Sequence, residues 1–291
     1  MKKRILILGS SGILGKNLVI QLKNKYKVSH NGLKKRKFNL TRLGSLKKIL
    51  KNSKPDLIIN CVAVTNLDFC ERNKLESKKI NFGITKNLIL LRKIHNFNYK
   101  LLQISTDQMY NNKKWFRSSE NFKPVSFNEY TKQKLAVEKI CIKNKALVLR
   151  LNFFSNEKNN IFNWIINSCK MNKNINLFKD IYFNPISVSS LSKTIKKIIP
   201  KILKNKISGI FNLGCRDVIS KSNFCIYIIN QLNSNYKNYK IVSSNKFLLT
   251  KRPKNMSMNI RKFQKKFKIN LPKIKNEIDK YMKETNVKIQ D

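Results

Sequence analysis

Short apolar runs alternate with helical patterns through the first half of the chain, and this alternation limits the accessible folds more than any other property of the sequence. The runs lie at residues 5–8, 27–30, 57–61, 101–104 and 146–151, with helical patterns around 45–51, 75–95 and 128–144. In the second helical pattern, Ile80, Ile84, Leu88 and Leu91 recur every three or four residues, which is typical of one buried helix face. Strands alternating with helices predict a parallel sheet that is covered on both faces.

Beyond residue 152 the alternation is less regular. Helices are predicted at residues 161–171, 189–204 and 274–284, a strand at 210–213, and one more helix that begins at Ser220 or Ser222. We therefore predict a first domain over residues 1–152 and a smaller lobe over residues 153–291, some of whose elements return to the sheet.

A glycine turn follows the first strand. In ILILGSSGILGKNL, residues 5–18, Gly9, Gly12 and Gly15 separate the strand from an apolar-periodic helix. Such a turn can bring backbone N–H groups and a helix N-terminus against a phosphate. The spacing is GxxGxxG rather than GxGxxG, so the glycines alone also fit an ordinary tight turn. Their position between a strand and a helix favours dinucleotide binding.

Tyr130 and Lys134 lie four residues apart on a predicted helix, so the phenol and the ammonium share one face. A nearby cation stabilises the phenolate, which makes the phenol a better proton donor near neutral pH. The same spacing also arises by chance in a lysine-rich chain.

Two predicted strands end in polar or small side chains. Ser105, Thr106 and Asp107 follow one of them, where hydroxyl groups would face the crevice in which open α/β sheets bind ligands. Capping of a helix or turn is the alternative role for these three residues. Cys61 and Ala63, at the end of another strand, would let a cofactor lie close to the sheet, unless they only pack beneath a helix.

The formal net charge of +47 raises the question of a nucleic-acid partner. Only ten of the 62 basic residues are arginine, the side chain that makes bidentate contacts with bases and phosphates. The lysines are spread along the chain among asparagine and isoleucine. We therefore predict incidental surface charge and no specific nucleic acid, and nucleic-acid binding remains an alternative that rests on charge alone.

The six cysteines are scattered, with no CxxC pair and only two histidines, so neither a metal site nor a disulfide framework is predicted. No apolar run approaches the roughly 20 residues of a membrane span. The apolar segment after MKKR is short and ends at glycines, unlike a signal peptide. We expect a cytoplasmic protein with no membrane partner.

In their order and spacing, these segments resemble the extended short-chain dehydrogenases/reductases, and within them the dTDP-4-dehydrorhamnose reductase group. The resemblance covers residues 4–272 and is carried by these segments: GSSGILG, DLIINCVAVTNLDFCE, ISTDQMY, the Tyr130/Lys134 pair, VLRLNFF, FNPISVSSLSKTI, GIFNLGC and RPKNMSMN. It implies an α/β fold with a Rossmann-type doubly wound parallel sheet. Residues 1–152 would form the dinucleotide-binding domain, and residues 153–291 mainly a C-terminal α/β substrate lobe.

The resemblance also implies roles for single residues. Tyr130 would donate a proton to a sugar 4-keto oxygen while a reduced nicotinamide delivers hydride, Lys134 would hold the nicotinamide ribose, and Thr106 would bind the same oxygen. The other implied cofactor contacts are Gly9, Gly12, Ile13, Leu14 and Gly15 in the turn, Asn39 and Leu40 at the adenine, and Cys61, Val62 and Ala63 along the cofactor. Asp107, Phe153 and Arg252 would join Thr106 in binding the substrate.

The implied reaction is the reduction of a nucleotide-linked 4-keto-6-deoxysugar for surface polysaccharide synthesis. NADP(H) is favoured over NAD(H), because no acidic residue directly follows the second strand and Lys34, Lys35 and Arg36 could contact a 2′-phosphate. The alternatives are an epimerase or dehydratase with bound NAD, and a non-catalytic NADP-binding regulatory subunit. Gln108 stands where a dehydratase would need glutamate. The partner is a nucleotide-sugar substrate, and a homodimer is left open.

Overall fold

The computed structural model describes residues 1–31, 39–113, 116–232, 235–247 and 250–287. Over these residues the chain forms the strands β1 (Arg4–Leu8), β2 (Lys27–His30), β3 (Leu57–Asn60), β4 (Lys100–Thr106), β5 (Leu147–Leu151), β6 (Phe153–Phe154), β7 (Ile175–Phe178), β8 (Tyr182–Phe183), β9 (Ile186–Ser187), β10 (Gly209–Leu213), β11 (Ile219–Ser220) and β12 (Tyr239–Val242). The α-helices are α1 (Ile13–Leu22), α2 (Leu43–Ser53), α3 (Leu67–Arg72), α4 (Lys74–Lys78), α5 (Ile84–Ile94), α6 (Glu129–Lys143), α7 (Ile161–Lys170), α8 (Val188–Lys204), α9 (Lys221–Gln231), α10 (Arg261–Phe267) and α11 (Ile274–Glu284).

Six strands form the main sheet, in the order β10–β5–β4–β3–β1–β2. Strand β1 pairs in parallel with both β2 and β3, and β3 pairs in parallel with β4. The chain thus passes from β1 to β2 on one side and then returns to β3 on the other side of β1. This reversal is the topological switch point at which open α/β sheets bind ligands. The predicted doubly wound parallel sheet is confirmed.

The sheet strands are apolar because helices cover them. Residues 5–8 of β1 and all of β3 are buried, and α1 contributes Leu14, Leu18 and Leu22 at the predicted helical spacing. Leu46 and Leu50 of α2 pack in a core cluster with Leu6 and Leu8 of β1 and Ile58 of β3. Each such side chain contributes about 1.5–3 kcal/mol when it leaves water, so the buried faces fix which residues lie on which side of each element.

One predicted helix differs from the observed one. The pattern over residues 75–95 is divided into α4, a π-helical turn at Lys79–Gly83, and α5. The turn carries Asn81, which is buried and accepts a hydrogen bond from the Val64 N–H at 2.8 Å. Single π-turns inside α-helices are rare and occur frequently at functional sites.

The described chain divides into two compact units. Unit 1 comprises Met1–Thr106, Ser126–Arg150 and Ser192–Phe211. Unit 2 comprises Asp107–Val125, Leu151–Leu191 and Asn212–Asp291. The division into domains at residue 152 stays a prediction.

Unit 2 is built around aromatic side chains on α7, α9, α11 and the short strands. Phe154 stacks on Phe162 with ring centroids 5.5 Å apart and meets Phe224 edge-on at 5.3 Å. Tyr281 closes the cluster at 5.4 Å from Phe154. Such pairs add to the free energy gained from burial and fix how the helices pack.

Two further expectations concern the chain as a whole. All six cysteines are free, and five of them are buried. Among the helices that the structure describes, none has both the length and the apolar character of a membrane span.

Candidate active site

The turn between β1 and α1 lies beside the switch point. Gly9 has a φ of +81°, a conformation that favours glycine, and its N–H donates to Asn31 Oδ1 at 2.9 Å. Gly12 follows with its N–H bonded to the Gly9 carbonyl at 3.0 Å. The glycines therefore form a closed, specific turn.

Close packing requires glycine at positions 9 and 15, whereas the glycine at position 12 is exposed. A Cβ on Gly15 would lie 2.1 Å from the Gly9 oxygen, and a Cβ on Gly9 would lie 2.9 Å from the Val62 nitrogen. Gly12 is exposed and precedes α1, whose first turn carries no acidic residue. The N–H groups of Ile13 and Leu14 at this helix start have no partner within the helix. The turn therefore fits the pyrophosphate of a dinucleotide.

The end of β3 forms the adjoining wall of unit 1. Cys61, Val62 and Ala63 are half-buried, and the Cys61 N–H donates to the Leu8 carbonyl at 3.0 Å. Asn60 orients this segment by accepting from the Val62 N–H at 3.1 Å. The predicted cofactor residues after β1 and after β3 are thus brought together at one edge of the sheet.

Asn39 and Leu40, the two residues predicted to contact the adenine, differ in their exposure to solvent. Asn39 is exposed, and its Oδ1 accepts from the Thr41 N–H at 3.0 Å. Leu40 is buried in the core of unit 1. Lys34, Lys35 and Arg36, proposed for a 2′-phosphate, lie outside the described residues.

The pair on α6 is buried beneath the end of β4. Thr106, Tyr130 and Lys134 are exposed by only 5%, 5% and 3%. Lys134 Nζ lies 5.9 Å from the centre of the Tyr130 ring and donates to the Ile104 carbonyl at 3.1 Å. The helix begins just before Tyr130 because Asn128 Oδ1 accepts from the Thr131 N–H, while Thr131 caps in return.

Burial changes the acid–base properties of this group of residues. It lowers the pKa of Lys134 to about 8, and the nearby Glu138 carboxylate opposes this change. Burial likewise raises the pKa of the Cys61 thiol to about 12, which the Lys134 ammonium opposes. Lys134 thus remains a cation at neutral pH and can stabilise a phenolate on Tyr130, whereas Cys61 is a neutral thiol.

Glu138 and Arg150 form a buried ion pair that the sequence did not reveal. Arg150 Nη2 lies 2.6 Å from Glu138 Oε2, and Arg150 Nε lies 3.0 Å from Glu138 Oε1. Ser105 donates to the same carboxylate at 2.6 Å. The pair fixes α6 against the strands that carry Ser105 and Arg150. It therefore also fixes the position of Tyr130 and Lys134 relative to these strands.

Three of the four predicted substrate residues belong to unit 2. Phe153 and Arg252 line a cavity of about 190 Å³. Asp107 accepts a hydrogen bond at 2.8 Å from Asn152, which also lines it. Thr106, the fourth, belongs to unit 1. Within the described chain, the buried Nε of Arg252 has no hydrogen-bond partner.

Comparison with known families identifies the chain's relatives. The model of the RmlD substrate-binding domain family matches residues 2–287. The chain belongs to this family. Membership of the RmlD family confirms the resemblance that the motifs indicated. The matched residues extend over both units.

Two curated proteins and one solved structure are similar to this RmlD-family chain. A GDP-6-deoxy-D-talose 4-dehydrogenase of Aggregatibacter actinomycetemcomitans is 28% identical over 71% of this chain and 74% of its own length. A dTDP-4-dehydrorhamnose reductase of the same organism is 23% identical over 91% and 94%. The crystal structure of a Bacillus anthracis dTDP-4-dehydrorhamnose reductase in complex with NADP has a TM-score of 0.86 at 22% identity, covering 98% of this chain and 99% of that one.

Proposed function

We propose that this chain uses a reduced nicotinamide cofactor to reduce the 4-keto group of a nucleotide-linked 6-deoxysugar. Its family and its relatives make it an oxidoreductase that acts on a sugar nucleotide. The observation that carries the finer proposal is the buried Tyr130/Lys134 pair, whose Lys134 ammonium donates to the Ile104 carbonyl two residues before Thr106. A buried lysine with a strongly lowered pKa next to a phenol is typical of functional sites, which supports a role in proton transfer.

The chain's own residues account for binding and proton transfer. The glycine turn and the first N–H groups of α1 would hold the dinucleotide pyrophosphate, and the cofactor would supply the hydride when bound. Tyr130 would donate its proton to the sugar oxygen. The Lys134 ammonium would stabilise the phenolate left behind, since the Ile104 carbonyl fixes it in place. Thr106 would bind the same oxygen and stabilise charge as it develops.

The cofactor, the substrate and the setting are proposed at a finer level than the family alone supports. NADPH is favoured, because β2 ends at His30 without an acidic residue and the similar Bacillus anthracis reductase binds NADP. The nucleotide would be dTDP or GDP, as in the names of the two curated relatives. We place the reaction in the cytoplasm, in the synthesis of a surface polysaccharide.

The test is a direct assay. Purified protein is incubated with NADPH or NADH and a panel of dTDP- and GDP-linked 4-keto-6-deoxysugars, and the absorbance of the reduced nicotinamide is followed. We expect oxidation of NADPH with at least one sugar nucleotide, and a slower reaction with NADH. A reaction without sugar nucleotide is the control.

Two outcomes would contradict the proposal. Tight binding of NADPH with no reduction of any sugar would favour a regulatory subunit. Conversion of a substrate with no net consumption of reduced nicotinamide would favour an epimerase or dehydratase.

A further inference from the structure

Unit 2 contains two neighbouring cavities that share one side of their lining. The first, of about 190 Å³, includes Arg252 and Phe153, and the second, of about 480 Å³, includes Trp164 and Phe178. Four residues line both cavities: Asn159, Asn160, Ile161 and Lys221. A ligand that occupied both cavities would therefore pass Lys221.

The two cavities differ in chemistry. The first offers the polar side chains of Gln108, Asn152 and Arg252. The second offers Trp164, Leu177 and Phe178, an apolar lining suited to a flat ring. A molecule with an apolar planar ring at one end and a polar group at the other would fit the two cavities. The group that connects its two ends would then lie at Lys221.

The charge of the first cavity, to which Lys221 contributes on the shared side, indicates that the connecting group is an anion. The described residues that line the first cavity include two cations, Lys221 and Arg252, and no acidic side chain. Burial lowers the pKa of Lys221, and the Arg252 guanidinium lowers it further, while Asp107 acts in the opposite direction. Arg252 Nε is buried and has no hydrogen-bond partner among the described residues. Two cations in one cavity lining whose described part has no acidic side chain favour an anionic ligand.

The backbone fixes where the Lys221 side chain begins. Lys221 is the first residue of α9, which Ser220 caps by accepting from the Asn223 N–H at 3.1 Å. The Lys221 N–H donates to the Ile181 carbonyl at 2.8 Å, and Ile181 also lines the first cavity. Position 221 is therefore held against the cavity wall by the helix start and by this hydrogen bond.

We infer that Lys221 binds the diphosphate of the nucleotide-sugar substrate together with Arg252, at the junction of the two cavities, with the nucleoside on the side of Trp164. The inference rests on the proposed function, because it takes the substrate to be a nucleotide sugar. It adds a binding residue that no motif indicated.

The test measures equilibrium binding and needs neither cofactor nor turnover. Titration calorimetry compares dTDP, GDP and the nucleosides thymidine and guanosine against wild type, Lys221→Met and Lys221→Arg. We expect Lys221→Met to weaken binding of the preferred nucleoside diphosphate about 10- to 100-fold, the usual effect of losing a charge-assisted hydrogen bond. Binding of the matching nucleoside should be unchanged, and Lys221→Arg should retain most of the affinity.

Lys170→Met is the matched control, because it removes one exposed lysine from the same unit. It should leave diphosphate binding unchanged, and NADPH affinity should be the same in all variants. Equal diphosphate affinity in wild type and Lys221→Met would overturn the inference, as would a wild type that binds neither dTDP nor GDP. A failure of the reductase assay alongside Lys221-dependent diphosphate binding would contradict only the proposed reaction.

Discussion

Lys134 carries a positive charge in a position that water barely reaches. Its pKa falls from the ordinary 10.5 to about 8, which corresponds to about 3 kcal/mol of unfavourable free energy for the charged form. The folded chain therefore binds fewer protons than the unfolded chain between about pH 8 and pH 10.5. Because stability rises with pH wherever the unfolded state binds more protons, this residue makes the protein more stable as the pH rises through that window.

We expect Lys134→Met to increase the free energy of unfolding at pH 7 by about 1–3 kcal/mol, because it removes a buried charge while keeping a similar volume. The Ile104 carbonyl keeps one partner, Gln103 Nε2 at 2.9 Å, so its loss is small. Reductase activity should fall steeply and cofactor affinity should fall as well. Urea denaturation at pH 7 and pH 10 measures the effect. A less stable variant would show that Lys134 is a structural residue.

Tyr130→Phe removes one hydroxyl group and leaves the packing of the ring against Leu67 and Cys70. We expect kcat to fall by about 10²–10⁴-fold, the usual contribution of a positioned general acid. The melting temperature and NADPH affinity should stay near their wild-type values. Steady-state kinetics with a confirmed substrate would decide this, and an unchanged kcat would rule out Tyr130 as the proton donor.

Single residues differed in how far the sequence could reveal them. Tyr130 and Lys134 stood out through their spacing and through their place relative to Thr106. Lys221 could not be distinguished, because it is one of 52 lysines with no periodic or motif context. Glu138 and Arg150 are twelve positions apart and meet only because α6 packs against the sheet, which local patterns do not encode.

At the scale of elements, the sequence patterns predicted where most helices and strands lie but missed an irregular turn within a helix. The bounds of β2 and α11 match the predicted ranges. The π-turn at Lys79–Gly83 was missed, since Ile80 and Ile84 keep the same spacing whether or not the turn between them is widened. Hydrophobic periodicity reports the buried face of a helix and not its hydrogen-bond ladder.

The turn between β1 and α1 allows a matched comparison of two glycines. We expect Gly12→Val to fold and to lose affinity for NADPH, because its Cβ would lie 3.3 Å from the Gly9 oxygen while the side chain covers the exposed turn. Gly15→Ala should instead destabilise the fold, since its Cβ would overlap the same oxygen at 2.1 Å. Thermal melting and calorimetric titration with NADPH separate the two effects. Wild-type affinity in folded Gly12→Val would contradict the assignment of the turn.

The attachment of α6 to its strands depends on the Glu138–Arg150 pair. Glu138→Ala leaves the buried Arg150 guanidinium without its carboxylate, and we expect a loss of about 3–5 kcal/mol in the free energy of unfolding. The double variant Glu138→Leu/Arg150→Met should recover most of that stability, because it removes both charges of the pair together. Chemical denaturation of the three proteins tests this. Equal stability of the single and double variants would show that the pair is not electrostatically coupled.

At the scale of the whole molecule, the dominant property is the net charge of +47. We expect any binding to DNA to be independent of sequence and to weaken steeply with salt, as counterion release requires. Fluorescence titration with two unrelated duplexes at low and physiological salt provides the measurement. A tight complex with only one of the duplexes at physiological salt would show a dedicated nucleic-acid surface.

The position of β10 has a consequence for how the chain is made. This strand is an edge of the main sheet, yet it is encoded about 60 residues after its neighbour β5. A ribosome releases the chain from its N-terminus, so the first five sheet strands emerge while the place beside β5 is still empty. An open strand edge on a nascent chain is where unwanted pairing with another chain begins. The edge of β5 therefore stays open to such pairing until β10 has been synthesised.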